Sequence, residues 1–111
     1  MKTDYTVIYP DGQSVDHAVD MPEEPGYDAL RALIKPLLAD QEFEHVTVWH
    51  DGKYTDMFVD EMGALVPLPV NLRASAVYRA NVMAHQRPTP VEAELPFIYG
   101  VAVLFHRKVW F

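Results

Sequence analysis

Residues 97–105 form an almost unbroken apolar run, Phe-Ile-Tyr-Gly-Val-Ala-Val-Leu-Phe. A strand with one face in water alternates apolar and polar residues, whereas a run of this kind is typical of a strand buried on both faces. We therefore predict a central strand here, around which the rest of the chain must build a sheet. Gly100 within the run predicts a bulge or the close approach of another backbone segment.

Upstream of this run, two β-hairpins are predicted from alternating segments that are joined by turn sequences. Asp51-Gly52 is among the strongest short hairpin signals, because both residue types tolerate the positive φ of a tight turn. Pro10-Asp11-Gly12 is a second turn, in which proline presets φ and glycine accepts a positive φ. The strands of the two hairpins are predicted at residues 3–9 and 14–19 and at residues 45–50 and 54–59.

Five apolar residues at helical spacing predict the first helix, and they line one face of it. Asp28 lies in the predicted first turn, where a negative charge favours the helix dipole. Pro36 conflicts with the pattern, because inside a helix proline removes a backbone hydrogen bond and clashes with the carbonyl of Ala32, at a cost of about 3 kcal/mol. We expect a kink there, or an early stop with a short continuation. The five apolar residues are Leu30, Leu33, Ile34, Leu37 and Leu38.

A second helix is predicted over residues 72–83, with Asn71 as the N-cap because its side-chain oxygen can accept an unpaired N–H of the first turn. An extended segment, residues 65–70, precedes it, and a proline-rich linker, residues 85–96, follows it. We predict that residues 1–111 form a single α+β domain, with a mainly antiparallel sheet of about four to six strands and two helices packed on one face. The second helix is expected to bury Leu72, Ala76 and Met83, with Val77 or Tyr78 alongside.

The chain has no cysteine, which excludes a disulfide scaffold, thiol catalysis, zinc–thiolate sites and iron–sulfur clusters. Half of its residues are hydrophobic and 23% are charged, which excludes wholesale disorder. No apolar run reaches the ~18 residues of a membrane span, and no signal-peptide pattern begins the sequence. We therefore expect a soluble, cytoplasmic protein that does not contact membranes.

Charge is divided unevenly along the chain. Residues 1–61 contain fourteen acidic and four basic side chains, a net charge of −10. Residues 62–111 contain two acidic and five basic side chains, a net charge of +3. The acidic half is interpreted either as a solvated surface or as a face that repels or imitates nucleic acid. Because the net charge is −7 and no basic cluster is present, direct binding of nucleic acid is not expected.

Histidines and carboxylates do not show the spacing of a metal or catalytic site. His45 and His50 lie five residues apart on a predicted strand, so we expect them to face opposite sides of the sheet and not to share an ion. Carboxylates that could do acid–base work, such as Asp56 and Asp60, lie near hairpin ends, where acidic residues serve turns and solubility. We predict no catalytic residue, no metal site and no cofactor.

One arrangement has the chemistry of an anion site. Asn71 caps a predicted helix that begins at residue 72, and Arg73 and Arg79 lie on that helix. At its start, backbone N–H groups and a guanidinium group together could hold a phosphate or carboxylate. The alternative interpretation is a simple helix cap followed by exposed arginines. On the first interpretation these three residues bind an anionic small molecule in a cleft.

The C-terminal segment ends on two bulky aromatic residues, Trp110 and Phe111. Because chain ends are usually polar and frayed, we expect this segment to dock on the body of the protein or on another copy. A homodimer built around a shared sheet edge or around this tail is one interpretation.

Four short motifs follow one another along the chain: Leu30-Arg31-Ala32-Leu33-Ile34, Phe58-Val59-Asp60-Glu61-Met62-Gly63, Leu68-Pro69-Val70-Asn71 and Ile98-Tyr99-Gly100. Their order resembles that of a family of small bacterial, phage- or plasmid-associated domains of unknown function. Those domains carry a helix of the L-Q-x-L-V-G-G-Y-I-E type, then N-E-E-G, then L-P-x-N, then I-x-G before the last strand. The similarity covers about residues 3–105, although Lys35-Pro36-Leu37-Leu38-Ala39 stands where the family has G-G-Y-I-E. The resemblance implies an α+β domain of mobile-element origin and no particular reaction.

These observations favour a small, non-catalytic binding or accessory protein that acts through protein–protein contacts, with its acidic half as the contact surface. Two alternatives remain at this point. One is a small-molecule anion-binding protein or enzyme that uses the cleft near Asn71, Arg73 and Arg79. The other is an acidic mimic of DNA that inhibits a nucleic-acid enzyme.

Overall fold

A computed structural model of the protein describes residues 1–63, 65–66 and 68–111. It contains one antiparallel sheet of five strands in the order β2-β1-β5-β4-β3, together with two α-helices and a short 3-10 helix at Glu92–Glu94. The elements are β1 (Lys2–Ile8), β2 (Ser14–Asp20), α1 (Tyr27–Leu37), β3 (Phe43–His50), β4 (Lys53–Asp60), α2 (Leu72–His85) and β5 (Ala102–Phe105).

Both predicted hairpins are present. In the first, β1 and β2 pair without a bulge from Lys2↔Asp20 to Ile8↔Ser14, and the turn between them contains Gly12 at a φ of 91°. In the second, β3 and β4 pair from Phe43↔Asp60 to His50↔Lys53, so Asp51-Gly52 forms a two-residue loop. Both loop residues have positive φ, 53° and 79°, as a type I′ turn requires.

Strand β5 occupies the centre of the sheet, between β1 and β4, and all four of its residues are buried. Val103 and Phe105 belong to one hydrophobic cluster, and Ala102 and Leu104 belong to another, so the strand contributes to a core on each side of the sheet. The strand is shorter than the predicted run because Gly100 has a φ of 78°, which interrupts the extended backbone before residue 102.

The two helices cover opposite faces of the sheet. Helix α1 contributes Leu30 and Ile34 to the cluster that contains Val103, whereas α2 contributes Ala74 to the cluster that contains Leu104. The predicted α+β domain with an antiparallel sheet and two helices is confirmed, but the placement of both helices on one face is corrected. The physical reason is that a central strand apolar on both sides needs a cover on each side.

The buried side of α2 also differs from the prediction. Leu72 is 65% exposed, Ala76 is exposed and Met83 is half-buried, whereas the buried residues of the helix are Ala74, Ser75 and Val82. Apolar residues occur all round this helix, so its pattern does not single out one face. Ala74 belongs to the cluster on this face of the sheet, and Val77 and Tyr78 pack against the same cluster, as predicted. Ser75 accepts through Oγ a hydrogen bond from the backbone N–H of Ile98.

Pro36 and Gly100 have the local effects that the sequence suggests. Helix α1 ends at Leu37, one residue after Pro36, which corresponds to the early stop rather than to a long continuation. At Gly100, an added Cβ would lie 3.0 Å from Cδ1 of Leu68. That atom is the end of a flexible side chain, so it is the positive φ that favours glycine here. The predicted approach of another backbone segment is seen instead in the hydrogen bond from Gly100 N to the carbonyl oxygen of Pro69, at 2.8 Å.

An ion pair fastens α1 to the start of β3. The guanidinium group of Arg31 donates to Glu42, with Nη2 2.6 Å from Oε1, and Nζ of Lys35 lies 3.4 Å from the same oxygen. The hydrogen bond from Arg31 lowers the pKa of Glu42, and the same bond raises the pKa of Arg31. The lowered pKa means that the folded state binds the Glu42 carboxylate in its ionised form.

We expect Glu42→Gln to cause a small drop in melting temperature at pH 7 and no drop near pH 2. Because the folded-state pKa of Glu42 lies below its unfolded value, its contribution is complete above the ordinary glutamate pKa of about 4.3 and is lost as the pH falls through the folded pKa. Thermal unfolding of wild type and variant across this range measures the difference. Glu44→Gln, which removes an exposed carboxylate on β3, is the control, and an equal drop at both pH values would contradict the account.

Candidate functional site

Asn71 is the most completely buried of the three residues predicted to bind an anion, with 1% of its surface exposed. Its Oδ1 accepts from the backbone N–H of Ala74 at 3.0 Å, which confirms the helix cap. Its Nδ2 donates to the carbonyl oxygens of Ile8 and Gly100, both at 2.9 Å. Both amide protons and the amide oxygen therefore have protein partners, and the side chain ties α2 to β1 and to the segment before β5.

Arg73 and Arg79 lie apart from Asn71 and from each other. They are six residues apart on α2, which places them about 120° apart around the helix axis. Arg73 donates to Oγ of Ser14 at 2.9 Å. Arg79 donates to the carbonyl of Glu92 at 2.5 Å and lies over the ring of Phe97, 4.6 Å from its centroid. The structure does not bring the three predicted residues together in a cleft, and anion binding by them stays a prediction.

Asp56 is the most deeply buried carboxylate of the described residues, at 2% exposure. Its Oδ1 lies 2.6 Å from Nε2 of His45 on the neighbouring strand. Its Oδ2 accepts from the backbone N–H groups of Val109 and Trp110, at 2.8 and 2.9 Å. A carboxylate that accepts two adjacent backbone donors fixes the C-terminal segment at one place on the sheet.

Aromatic packing completes the attachment of the C-terminal segment. The indole ring of Trp110 stacks on His45 with a centroid distance of 5.0 Å and an interplanar angle of 15°. The ring edges of Phe43 and Phe58 also meet this indole, each at a centroid distance of 5.9 Å. Within one chain, therefore, the tail docks on the α1 face of the sheet, which is one of the two placements predicted from its composition.

An apolar groove of about 390 Å³ lies between the end of α1 and the segment that precedes β5. Asp60 is a charged residue in the lining of this groove, and its Oδ1 accepts a hydrogen bond from the backbone N–H of Met62 at 2.8 Å. This is the turn-forming role expected of an acidic residue at a hairpin end. The apolar lining includes Pro10, Leu37, Leu38, Leu68 and Val101.

The outer edge of the sheet at β2 is the feature with the clearest binding chemistry. We call Ser14–Asp20 the β2 edge; it is the terminal strand of the sheet, paired with β1 on its inner side. The hydrogen bonds from Tyr9 N to Gln13 O (2.8 Å) and from Met21 N to Met1 O (3.0 Å) show that odd-numbered residues of β2 bond to β1. Because antiparallel pairing alternates, the N–H and C=O groups of Ser14, Asp16, Ala18 and Asp20 point away from β1.

The side chains of the β2 edge alternate in the same way. Those of Val15, His17 and Val19 lie on the α1 face, where His17 stacks on Tyr5 at a centroid distance of 5.1 Å. Asp16 lies on the opposite face and accepts from Oγ1 of Thr6 at 2.6 Å. Six of the seven residues of the strand are exposed.

The opposite edge of the sheet, at β3, is partly covered. In the pair that closes the hairpin, His50↔Lys53, the backbone groups of His50 bond to β4. Because bonded and unbonded positions alternate along an antiparallel strand, the backbone N–H and C=O groups of Thr47 point away from β4. The carbonyl oxygen of Thr47 accepts from Nδ2 of Asn81 on α2, at 3.0 Å. Among the described residues, no comparable side chain bonds to the outward backbone groups of β2, so the two edges differ in their availability to another chain.

Two chemical roles can be assessed directly on the described residues. Among these residues, no three or more His, Asp and Glu side chains are grouped so that they could hold a metal ion. No helix within residues 1–63, 65–66 and 68–111 has the length and apolar character needed to cross a membrane.

Sequence reasoning missed the roles of Asp56 and of the β2 edge. Asp56 was expected to serve a turn, and the alternation of Thr55, Met57 and Phe58 around it gives no sign that it binds the C-terminal segment fifty-three residues later. The position of β2 at an edge depends on β5 pairing with β1, which periodicity does not reveal.

A comparison of the chain with models of known families, with characterised proteins and with solved structures finds no significant match, and the family resemblance stays a prediction.

Proposed function

We propose that this chain is a non-catalytic binding or accessory protein that acts by contact with another protein, and that the β2 edge is the contact surface. The observation that carries the proposal is the edge itself: a regular seven-residue strand whose outward backbone groups face solvent. Exposed edges of this kind pair readily with another chain, and proteins usually protect them with charged side chains, a proline, a bulge or a covering element. The charges on this edge, Asp16 and Asp20, are both acidic, so they disfavour an acidic strand and favour a basic one.

The charge of the surrounding surface supports the same proposal. The β2 edge belongs to the half of the chain that sums to −10. Asp16 is exposed, and the side chain of Asp20 is 92% exposed. The N-terminal ammonium group, whose nitrogen lies 3.0 Å from Oδ1 of Asp20, offsets part of the charge of that residue, so Asp16 contributes the unpaired negative charge of this edge. A field of one sign steers an oppositely charged partner and raises the rate of encounter. The proposal retains the expectation of a cytoplasmic protein.

Buried polar groups point to a structural rather than a catalytic use. The side chains of Thr3, Thr55, Asp56, Asn71 and Ser75 are buried, and each has a hydrogen-bond partner within the protein. These bonds connect strands, helix ends and the C-terminal segment to one another. The proposal therefore assigns these groups to stability and assigns binding to the exposed hairpin.

Affinity capture from source lysate tests the proposed function. The double variant Asp16→Asn/Asp20→Asn removes two charges from the β2 edge, and Glu92→Gln/Glu94→Gln removes two from the exposed 3-10 helix as a matched control. We expect a specific protein to be retained by the wild type and by the control, to be lost from the edge variant, and to be released when NaCl rises from about 50 mM to about 500 mM, because salt screens the attraction. Equal capture by all three proteins would contradict the proposal.

A further inference from the structure

The β2 edge combines backbone groups and side chains in a pattern that defines a complementary strand. Asp16 and Asp20 are four residues apart and lie on the same face of the sheet, with Ala18 between them. On the other face, His17 and Val19 offer a partly apolar surface, since Val19 packs against the α1-side cluster and His17 stacks on Tyr5. A strand paired with β2 would place one residue directly opposite each of these positions.

We propose that the β2 edge binds an extended protein segment with the pattern basic, apolar, any, apolar, basic, by adding it to the sheet as a sixth strand. The basic residues would lie opposite Asp16 and Asp20, and the apolar residues opposite His17 and Val19. The backbone of the segment would pair with the outward N–H and C=O groups of Asp16, Ala18 and Asp20. This inference rests on the proposed function and specifies its partner. The pattern is the same in both directions, so it fits a parallel or an antiparallel strand.

A basic segment fits this edge better than a second copy of the chain does. Two β2 strands related by a two-fold axis can avoid placing Asp directly opposite Asp when His17 faces its own copy. Even in that register, Asp16 of one copy lies diagonal to both Asp16 and Asp20 of the other, within the 7–8 Å over which cross-strand charges interact. Basic residues opposite Asp16 and Asp20 replace this repulsion by attraction, which gives charge complementarity instead of charge clustering.

Two protein variants separate strand addition from simple charge attraction. Ala18→Pro removes an outward N–H but none of the bonds to β1, because Ala18 pairs with Asp4 at a position whose backbone groups point away from β1. Ala18→Val keeps the N–H and a strand-compatible side chain, and is the control. Far-ultraviolet circular dichroism and melting temperature establish that both variants remain folded before binding is measured.

The probe is a synthetic peptide with blocked ends and the sequence Thr-Lys-Val-Thr-Val-Lys-Thr, titrated into the full-length ¹⁵N-labelled protein. We expect saturable binding, with amide shifts concentrated at Asp16, Ala18 and Asp20. We expect affinity to fall about tenfold or more for a peptide with glutamate in place of both lysines, and similarly for the Ala18→Pro protein, but not for Ala18→Val. Sedimentation velocity of the free protein is expected to show a monomer.

The outcomes distinguish this inference from the proposed function. Equal binding of the lysine peptide by wild type and Ala18→Pro would overturn strand addition and leave an acidic contact surface in place. Equal binding of lysine and glutamate peptides would overturn the charge pattern, and absence of binding by the lysine peptide would overturn the inference as a whole. A wild-type dimer that Ala18→Pro dissociates would show that a second copy occupies the edge, which also overturns it. The proposed function itself fails only if capture is insensitive to Asp16→Asn/Asp20→Asn.

Discussion

Replacing Asn71 by alanine is expected to lower the free energy of unfolding by about 3 kcal/mol, from the loss of a helix cap and of two buried hydrogen bonds at about 1 kcal/mol each. The cap is the bond from Ala74 N to Oδ1, and the buried bonds run from Nδ2 to the carbonyls of Ile8 and Gly100. A loss of this size is a large share of the stability of a small domain. Chemical denaturation with urea measures it, provided that the slope of the transition is unchanged.

Two further variants make the Asn71 prediction specific. Asn71→Ser retains an oxygen that can cap the helix but cannot reach both carbonyls, so we expect it to recover about 1 kcal/mol of the loss. Leu72→Ala changes the next residue, which is 65% exposed, and is expected to cost less than about 0.5 kcal/mol. If Asn71→Ala cost no more than Leu72→Ala, the assignment of Asn71 as the link between α2 and the sheet would be wrong.

Asp56→Ala is expected to lower the free energy of unfolding by about 3 kcal/mol, because it leaves the buried N–H of Val109 and the ring of His45 without their acceptor. Asp60→Ala is the matched control: that carboxylate bonds to a single exposed turn amide, and its removal is expected to cost less than about 1 kcal/mol. Urea denaturation of both variants tests the difference.

Deletion of residues 109–111 tests the same attachment from the other side. We expect the deletion to lower stability by several kcal/mol in the wild type, since Val109 is buried and Trp110 packs on His45. In the Asp56→Ala background the deletion is expected to cost less, because the two changes remove a shared set of bonds. An unchanged melting temperature and an unchanged mass by light scattering after the deletion would contradict the docking of this segment.

The local elements of this fold were predictable because each depends on residues close together in sequence. Asp51-Gly52 specifies its turn through the positive φ that both residues tolerate, and Pro36 lies in the last turn of its helix, which ends at Leu37. The prediction that both helices pack on one face of the sheet was wrong, because they cover opposite faces. The information was present in the alternation of Val103 and Leu104 between two apolar faces, which requires a cover on each face.

The candidate site was less predictable because it depends on the order of strands. The exposure of β2 follows from β5 pairing with β1 and β4, which are distant in sequence from each other. Asn71 was correctly predicted as a cap, but its two amide protons meet carbonyls on β1 and before β5 that no local pattern identifies. Long-range pairing of this kind is decided by the packing of the whole core rather than by any one segment.

Amide hydrogen exchange along β2, measured residue by residue by NMR on the free protein, tests most directly whether this edge is available for binding. We predict alternation: slow exchange at Val15, His17 and Val19, whose N–H groups bond to β1, and fast exchange at Asp16 and Ala18, whose N–H groups point outward. Uniform protection of the strand would show that another segment or another copy already covers the edge, and would contradict the account.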